Sequence, residues 1–342
     1  MTSTITPQTT TDQGQPGSGG RPAVDGTTPT TQAGTAPTTS PRVRALRRFA
    51  ISITVFNIVG HLVLGFEQAP ITPILAVLVS YGIALLMEYL DSRVYDRLPD
   101  YHGGVNALVT FLLPAHIAGL ACAMLLWGNS SLWPYIFAVT AANVSKYVVR
   151  LRVGGRLRHV LNPSNAGIAL TLVLFPWVGI APPYHFTNNV SGGVDWLLPL
   201  GVLMLGTMLN AKLTRRLPLI LAWAGGFVAQ ALLRWLLFDH NPIGALLPMT
   251  GLAFILFTNY MITDPGTTPH RRRGQIAFGL TAAAVYGVLV VSGISFGLFF
   301  ALVITCGLRG LAMLAGRLRH SAPAEGPAAV PGSAGTVVEG RT

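Results

Sequence analysis

Apolar stretches long enough for a membrane-spanning helix recur ten times along the chain. A helix needs about 17 to 25 predominantly apolar residues to cross the hydrocarbon core, and short polar loops separate the windows that meet this requirement. The pattern predicts an all-α polytopic membrane protein with about ten transmembrane helices. The windows cover residues 49–66, 71–90, 105–127, 132–149, 164–181, 195–211, 217–238, 244–262, 275–292 and 294–316.

The basic residues fall almost entirely into alternate loops. The loops near residues 67–70, 128–131, 182–194, 239–243 and 292–293 contain no Lys or Arg, and only Arg234 departs from the alternation. Basic loops stay in the cytoplasm, so the alternation supports the helix count and predicts cytoplasmic termini in a bacterial cell membrane. The basic set is Arg42, Arg44, Arg47, Arg48, Arg93, Arg97, Lys146, Arg150, Arg152, Arg156, Arg158, Lys212, Arg215, Arg216, Arg271, Arg272, Arg273, Arg309, Arg317 and Arg319.

Composition agrees with this class. Of the 342 residues, 51% are hydrophobic and only 10% are charged, which a water-exposed surface would not tolerate. The net charge of +11 therefore reports topology, and the expected partner is the lipid bilayer, with no nucleic acid. Residues 1–41 and 320–342 are rich in Thr, Pro, Gly and Ala, and they predict disordered cytoplasmic tails around a transmembrane domain at 42–319.

Ten spans divide into five plus five. An odd-numbered unit duplicated in series gives two inverted halves, and proteins of that design place their sites at the interface between the halves. No repeat is visible residue by residue, so this prediction rests on the count alone.

The first polar motif stands where a basic loop turns into the fifth window and reads Asn162-Pro163-Ser164-Asn165. Asn162 suits an N-cap and Pro163 the first helical position. The amides that follow would then offer oriented donors to an anion or polar ligand. The alternative is a well-capped helix start without a ligand, although Asn165 adds a second polar side chain where an apolar residue would suffice.

The second motif follows the eighth window and reads Thr263-Asp264-Pro265-Gly266-Thr267-Thr268-Pro269. Pro265 fixes φ and Gly266 permits positive φ, so the segment predicts a turn in which the Asp264 carboxylate accepts from amides two residues on. An ordinary helix exit would explain this motif alone. Both motifs lie on the same predicted membrane face, however, and we expect them to form one shared pocket.

Other polar residues in or beside the windows give weaker signals. Glu67 and Glu88 lie at window ends, where water can solvate them, and His116 is the strongest remaining candidate because intramembrane ionisable groups are costly. Cys122 and Cys306 are interpreted as small core residues. The sequence lacks nucleotide loops, Ser/His/Asp sets and zinc spacings, so it predicts no metal site, no catalytic residue and no stand-alone hydrolase or transferase.

At the two motifs the chain resembles a known family of membrane proteins. The family comprises the Rnf D component of Rnf-type electron-transport complexes and the homologous Nqr B component of the sodium-translocating NADH:quinone reductase. Asn162-Pro163 matches the family's Asn-Pro turn, and Thr263-Asp264-Pro265 with Thr268-Pro269 and Arg273-Gly274 is similar to its second pattern. Residues 106–114 resemble the family's third span, so the likeness covers about residues 45–317. The residue sequences of both motifs are most similar to those of the family branch that is encoded together with enediyne antibiotic biosynthesis.

The resemblance implies a flavin in the cytoplasmic half of the bundle and partner subunits for redox or biosynthetic work. Carried over residue by residue, it implies a non-covalent riboflavin or FMN held by the polar residues of both motifs. It also implies a membrane electron-transfer role in an enediyne pathway. The alternative is a non-redox permease that moves a metabolite or ion between the halves. The implied cofactor-binding residues are Asn162, Pro163, Ser164, Asn165, Thr263, Asp264, Thr267 and Thr268.

The chain departs from the family in the loop between the fifth and sixth windows. There the family joins a second flavin covalently to a threonine in a context similar to Ser-Gly-Ala-Thr, whereas this chain reads Ser191-Gly192-Gly193-Val194. Val194 has no hydroxyl with which to form a phosphoester. This departure favours transport, while the retention of both motifs favours redox work.

We therefore predict that the protein carries no covalent flavin. Thr187 and Ser191 supply nearby hydroxyls, but neither has the Gly-Ala-Thr context. The denatured protein should show no fluorescent band on a gel under ultraviolet light, because only a covalently bound flavin survives denaturation. A fluorescent band at the mass of the protein would contradict this prediction.

Overall fold

The computed structural model describes residues 41–153, 155–181 and 189–321. Most of both predicted tails and residues 182–188 of the predicted outer loop therefore lie outside the described residues. The described chain is almost entirely helical and polytopic, as predicted. The helices are α1 (Pro41–Val59), α2 (Ile71–Val94), α3 (Val105–Leu125), α4 (Trp133–Val148), α5 (Pro163–Leu174), α6 (Gly193–Leu209), α7 (Leu217–Phe238), α8 (Pro242–Leu246), α9 (Leu252–Leu256), α10 (Arg272–Val291) and α11 (Gly297–Ser321).

Each of the ten apolar windows contains helix, but the windows are not equally long. Among the described residues, seven helices are long and apolar enough to cross a membrane, and an eighth span is a pair bent by 66° between Pro242–Thr250 and Leu252–Met261. The remaining two, α4 with 16 residues and α5 with 12, are shorter. The all-α polytopic class is therefore confirmed, with seven or eight helices of spanning length within the ten predicted segments.

The fifth window departs most from its prediction. Helix α5 ends at Leu174 and is about 18 Å long at 1.5 Å per residue, against a hydrocarbon core of about 30 Å. Beyond it, β4 (Gly179–Ile180) pairs antiparallel with β1 (Leu126–Trp127). Pairing satisfies backbone groups in the non-helical segment beyond α5, which a lipid environment requires.

Four helix pairings of the first half recur in the second half of the chain. In the first half α1 packs on α3, α2 on α3 and α4, and α4 on α5. In the second half α6 packs on α9, α7 on α8 and α10, and α10 on α11. This correspondence supports a duplicated five-span unit, and α5 packs against α11 where the halves meet.

The first span of each half also ends in the same way. Helix α1 continues as a π-helical turn at Gly60–Leu64, and α6 continues as one at Asn210–Thr214. A left-handed residue follows each turn, Gly65 with φ 70° and Arg215 with φ 53°. The next amide then bonds back across the turn with an N···O distance of 2.9 Å in both halves.

An ion-pair network anchors the basic end of the first half. Arg97 binds Glu88 at 2.6 Å and Asp91 at 2.7 Å, and Arg150 binds the other Asp91 oxygen at 2.6 Å. Glu88 is only 2% exposed, so its predicted solvation at a span end is wrong. The hydrogen bond with the Glu88 carboxylate raises the pKa of the Arg97 guanidinium. Arg150 is the first residue of a hairpin formed by β2 (Arg150–Val153) and β3 (Arg156–His159). The network therefore joins α2 to this hairpin, and the hairpin leads directly into the first polar motif.

His116 is a structural bridge between three spans. One ring nitrogen lies 2.7 Å from Thr54 Oγ1 in α1, and the other lies 2.8 Å from the Tyr81 hydroxyl in α2. Both nitrogens have partners, so the ring holds α1, α2 and α3 together.

Close packing between α4 and α5 generates a stability prediction. A Cβ at Gly167 would lie 2.2 Å from the Ala138 carbonyl oxygen and 3.0 Å from Ala142 Cβ. Gly167→Ala should therefore push α5 away from α4 and destabilise the protein by about 1 to 3 kcal/mol, measured as a lower unfolding temperature in detergent. Gly201→Ala in α6 is the control, because nothing lies within 4 Å of its added Cβ. An unchanged unfolding temperature for Gly167→Ala would contradict the packing argument.

Candidate functional site

The two polar motifs meet at the junction between the halves. The Asn162 side-chain amide donates to the Met261 carbonyl at 3.0 Å, two residues before Thr263. A Cβ at Gly266 would lie 2.6 Å from His159 Nε2, so the second turn also touches the end of β3. We call this region, formed by residues 158–165, 261–269 and the facing side of α11, the polar junction.

Asn162 starts α5 and joins the halves at the same time. Its Oδ1 accepts from the Asn165 amide at 3.2 Å and from the Ser164 hydroxyl at 3.0 Å, while its carbonyl accepts from the Ala166 amide at 2.8 Å. Pro163 at the first helical position has no amide to satisfy. Two of the amides predicted to face a ligand, those of Asn165 and Ala166, are therefore already used within the cap.

Asn165 makes a different contact from the one predicted. It is 1% exposed, and its side-chain amide donates to the Phe299 carbonyl in α11 at 2.9 Å, away from the second motif. Its Oδ1 has no hydrogen-bond partner among the described residues. Of the buried side-chain polar atoms in the eight candidate residues, it is the one that stays unsatisfied there.

The second motif forms the turn that its sequence predicts. The Asp264 carboxylate accepts from the Gly266 amide at 3.2 Å and from the Thr267 hydroxyl at 2.9 Å, and its carbonyl accepts from the Thr268 hydroxyl at 2.7 Å. Thr263 bonds back to the Asn259 carbonyl at 2.7 Å. All three threonines are at most 2% exposed, whereas Asp264, Pro265 and Gly266 at the tip of the turn are half-buried.

Two arginines that sequence analysis used only as topology markers complete the polar junction. Arg309, inside α11, donates to the Thr267 carbonyl at 2.8 Å. Arg216, 2% exposed, donates to the Pro269 carbonyl and lies 3.4 Å from His270 Nδ1. Burial lowers the pKa of Arg216, and the nearby Asp264 carboxylate opposes that effect. Arg309 lies within an apolar window, and a charged residue there indicates a functional or structural role. Arg216 lies in a loop between windows, where its sequence position gave no such indication.

The polar junction is tightly closed. The cavity beside it, between Arg158, His159, Gly266 and Arg309, has a volume of about 20 Å³, space for about one water. Sites for drug-sized ligands or cofactors measure roughly 300 to 1,000 Å³. Because the space is small and the polar side chains bind one another, these residues do not fit a flavin in the arrangement described.

No protein-family model matches the chain, and no curated protein matches its sequence. The family resemblance of the two motifs therefore stays a prediction.

The geometry predicts that Asp264 acts through its charge. Asp264→Asn keeps a side-chain oxygen for the turn but removes the carboxylate charge near Arg216. We expect normal membrane insertion, a modestly lowered unfolding temperature and reduced function in the native host. Asp239→Asn is the matched control, since Asp239 is exposed beyond the end of α7. Full function of Asp264→Asn would contradict a role for the charge.

Proposed function

We propose that this chain is a membrane-embedded component of the Rnf D and Nqr B type that serves enediyne natural-product biosynthesis from the bacterial cell membrane. The supporting observation is the hydrogen bond from Asn162 to the Met261 carbonyl. It joins the two motifs that carry the resemblance, although 99 residues separate them. Two motifs that meet in this way support a single functional centre at the polar junction.

Membrane electron transfer is the activity that the resemblance implies. Its support is the retention of both motifs and the burial of their polar residues. The closed polar junction has no room for the flavin, so binding one there would require α5, the Asp264 turn and α11 to separate. Electron transfer through partner subunits therefore rests on the resemblance alone.

Transport of a metabolite or ion is the second candidate, and a specific observation favours it. Transporters with inverted repeats build their sites from discontinuous spans at the interface of the halves. Here α5 is short and the eighth span is bent by 66°. Both segments contribute to the polar junction, where Asp264 and Arg309 are half-buried and a movement of one half against the other would also expose Asn165.

An absorption spectrum separates these activities. A junction without room for a flavin predicts that the detergent-purified protein shows no flavin bands in the blue. Protein purified after riboflavin feeding should remain colourless as well. Stoichiometric flavin absorption that Asn162→Ala abolishes, without loss of the folded protein, would instead establish the redox function.

The proposed orientation has its own test. Single cysteines replace Arg271 and Ser191, both exposed, in a background where the two native cysteines are buried. In sealed cells an impermeant thiol reagent should label the cysteine at position 191 and spare the one at 271, because basic loops stay inside. The reverse labelling pattern would overturn the orientation.

A further inference from the structure

An apolar groove opens on the surface between the beginnings of α7 and α10. Its volume is about 540 Å³, within the range of small-molecule sites. Arg272 makes one end of the groove basic, and the other lining side chains are apolar. The lining residues are Leu217, Pro218, Leu221, Ala222, Arg272 and Ile276.

The groove forms because the two helices approach closely just beneath it. A Cβ at Gly279 would lie 2.7 Å from the Leu219 carbonyl oxygen and 2.8 Å from the Trp223 amide nitrogen, so the backbones nearly touch there. Nearer the helix beginnings the side chains leave space, and Leu221 is 63% exposed. In a spanning helix that surface faces lipid.

The basic end has no acidic partner in the part of the chain that the structure describes. Arg271, Arg272, Arg273 and Arg215 are exposed, and every salt bridge found among the described residues lies in the first half, on Glu88, Asp91 or Asp100. The nearby Asp264 uses its carboxylate within its own turn. The positive charge at the groove is therefore available to an anion from outside.

We propose that this groove binds one anionic phospholipid, with its phosphate at Arg272 and an acyl chain along the groove. Arg272 is the first residue of α10, while Leu221 and Ile276 each lie four residues into their helices, about 6 Å deeper. A phospholipid has the same arrangement, because its charged headgroup lies at the membrane surface, level with Arg272, and its acyl chain lies below, level with Leu221 and Ile276.

The positive charge at the groove favours an anionic phospholipid over a zwitterionic lipid or a second copy of this chain. Anionic lipids are attracted to basic residues at the membrane surface by about 1 kcal/mol for each Lys or Arg, whereas a zwitterionic headgroup gains little. A second copy of this chain would bring the same arginines to the groove, and like charges would repel. None of the residues that line the groove belongs to the polar junction, so the proposal does not rest on redox or transport activity.

Native mass spectrometry of the detergent-solubilised full chain tests the proposal. The protein is titrated with phosphatidylglycerol and with phosphatidylcholine of identical acyl chains. We expect one tightly bound phosphatidylglycerol and several-fold weaker phosphatidylcholine. Arg272→Gln should weaken phosphatidylglycerol binding about five-fold, the effect of removing one surface charge, and Leu221→Trp should weaken it by filling the groove.

Matched variants serve as controls. Arg44→Gln removes another exposed basic residue, and Leu233→Trp enlarges a 54% exposed leucine three turns further along α7; both should bind like the unmodified protein. Arg272 is exposed, so Arg272→Gln tests the proposal even if Leu221→Trp fails to fold. Equal affinity for the two lipids, or unchanged phosphatidylglycerol binding by Arg272→Gln, would overturn it.

Discussion

The structure depends on one requirement, that every backbone polar group in an apolar surrounding must find its partner inside the protein. Asn162 shows how this is met. Its side chain caps α5 through Oδ1 and, through its amide, binds the Met261 carbonyl in the other half. A short helix could not begin inside the bundle without such a residue, because its first amides would have no acceptor.

The same requirement explains why the two halves join through polar contacts. Apolar side chains gain little by leaving lipid for one another, whereas interhelical hydrogen bonds and close backbone packing do favour association. Asn165 binds the Phe299 carbonyl across the junction of the halves, and within the second half Asn210 binds the Asn259 carbonyl at 2.7 Å. A Cβ at Gly206 would lie 2.6 Å from Asn259 Cβ, so α6 packs tightly there as well.

The halves differ in how they hold their buried charge. In the first half, Glu88 and Asp91 pair with Arg97 and Arg150 in a network that fixes the β2–β3 hairpin. In the second half, Arg216 and Arg309 donate to backbone carbonyls. The nearby Asp264 carboxylate is the counter-charge for Arg216, and without it the buried guanidinium would be costly. The polar junction therefore depends on backbone acceptors and on the charge of Asp264.

The sequence by itself determined the class of protein and its segment order. Ten apolar windows, the alternating basic loops, the cap at Asn162 and the turn at Asp264 all depend on local pattern, because membrane crossing and turn formation depend on neighbouring residues. The internal duplication followed from counting, and the matched packing of the halves supports it.

Only the tertiary structure decided which polar groups meet. It ended α5 at Leu174, bent the eighth span, turned Asn165 toward Phe299, buried Glu88 against Arg97 and brought Arg216 and Arg309 beside the Asp264 turn. These contacts join residues far apart in the chain, and their partners are largely backbone carbonyls, which carry no sequence signature. The physical reason is that hydrogen-bond satisfaction within a membrane is a property of the whole bundle, so it appears only once all the helices are in place.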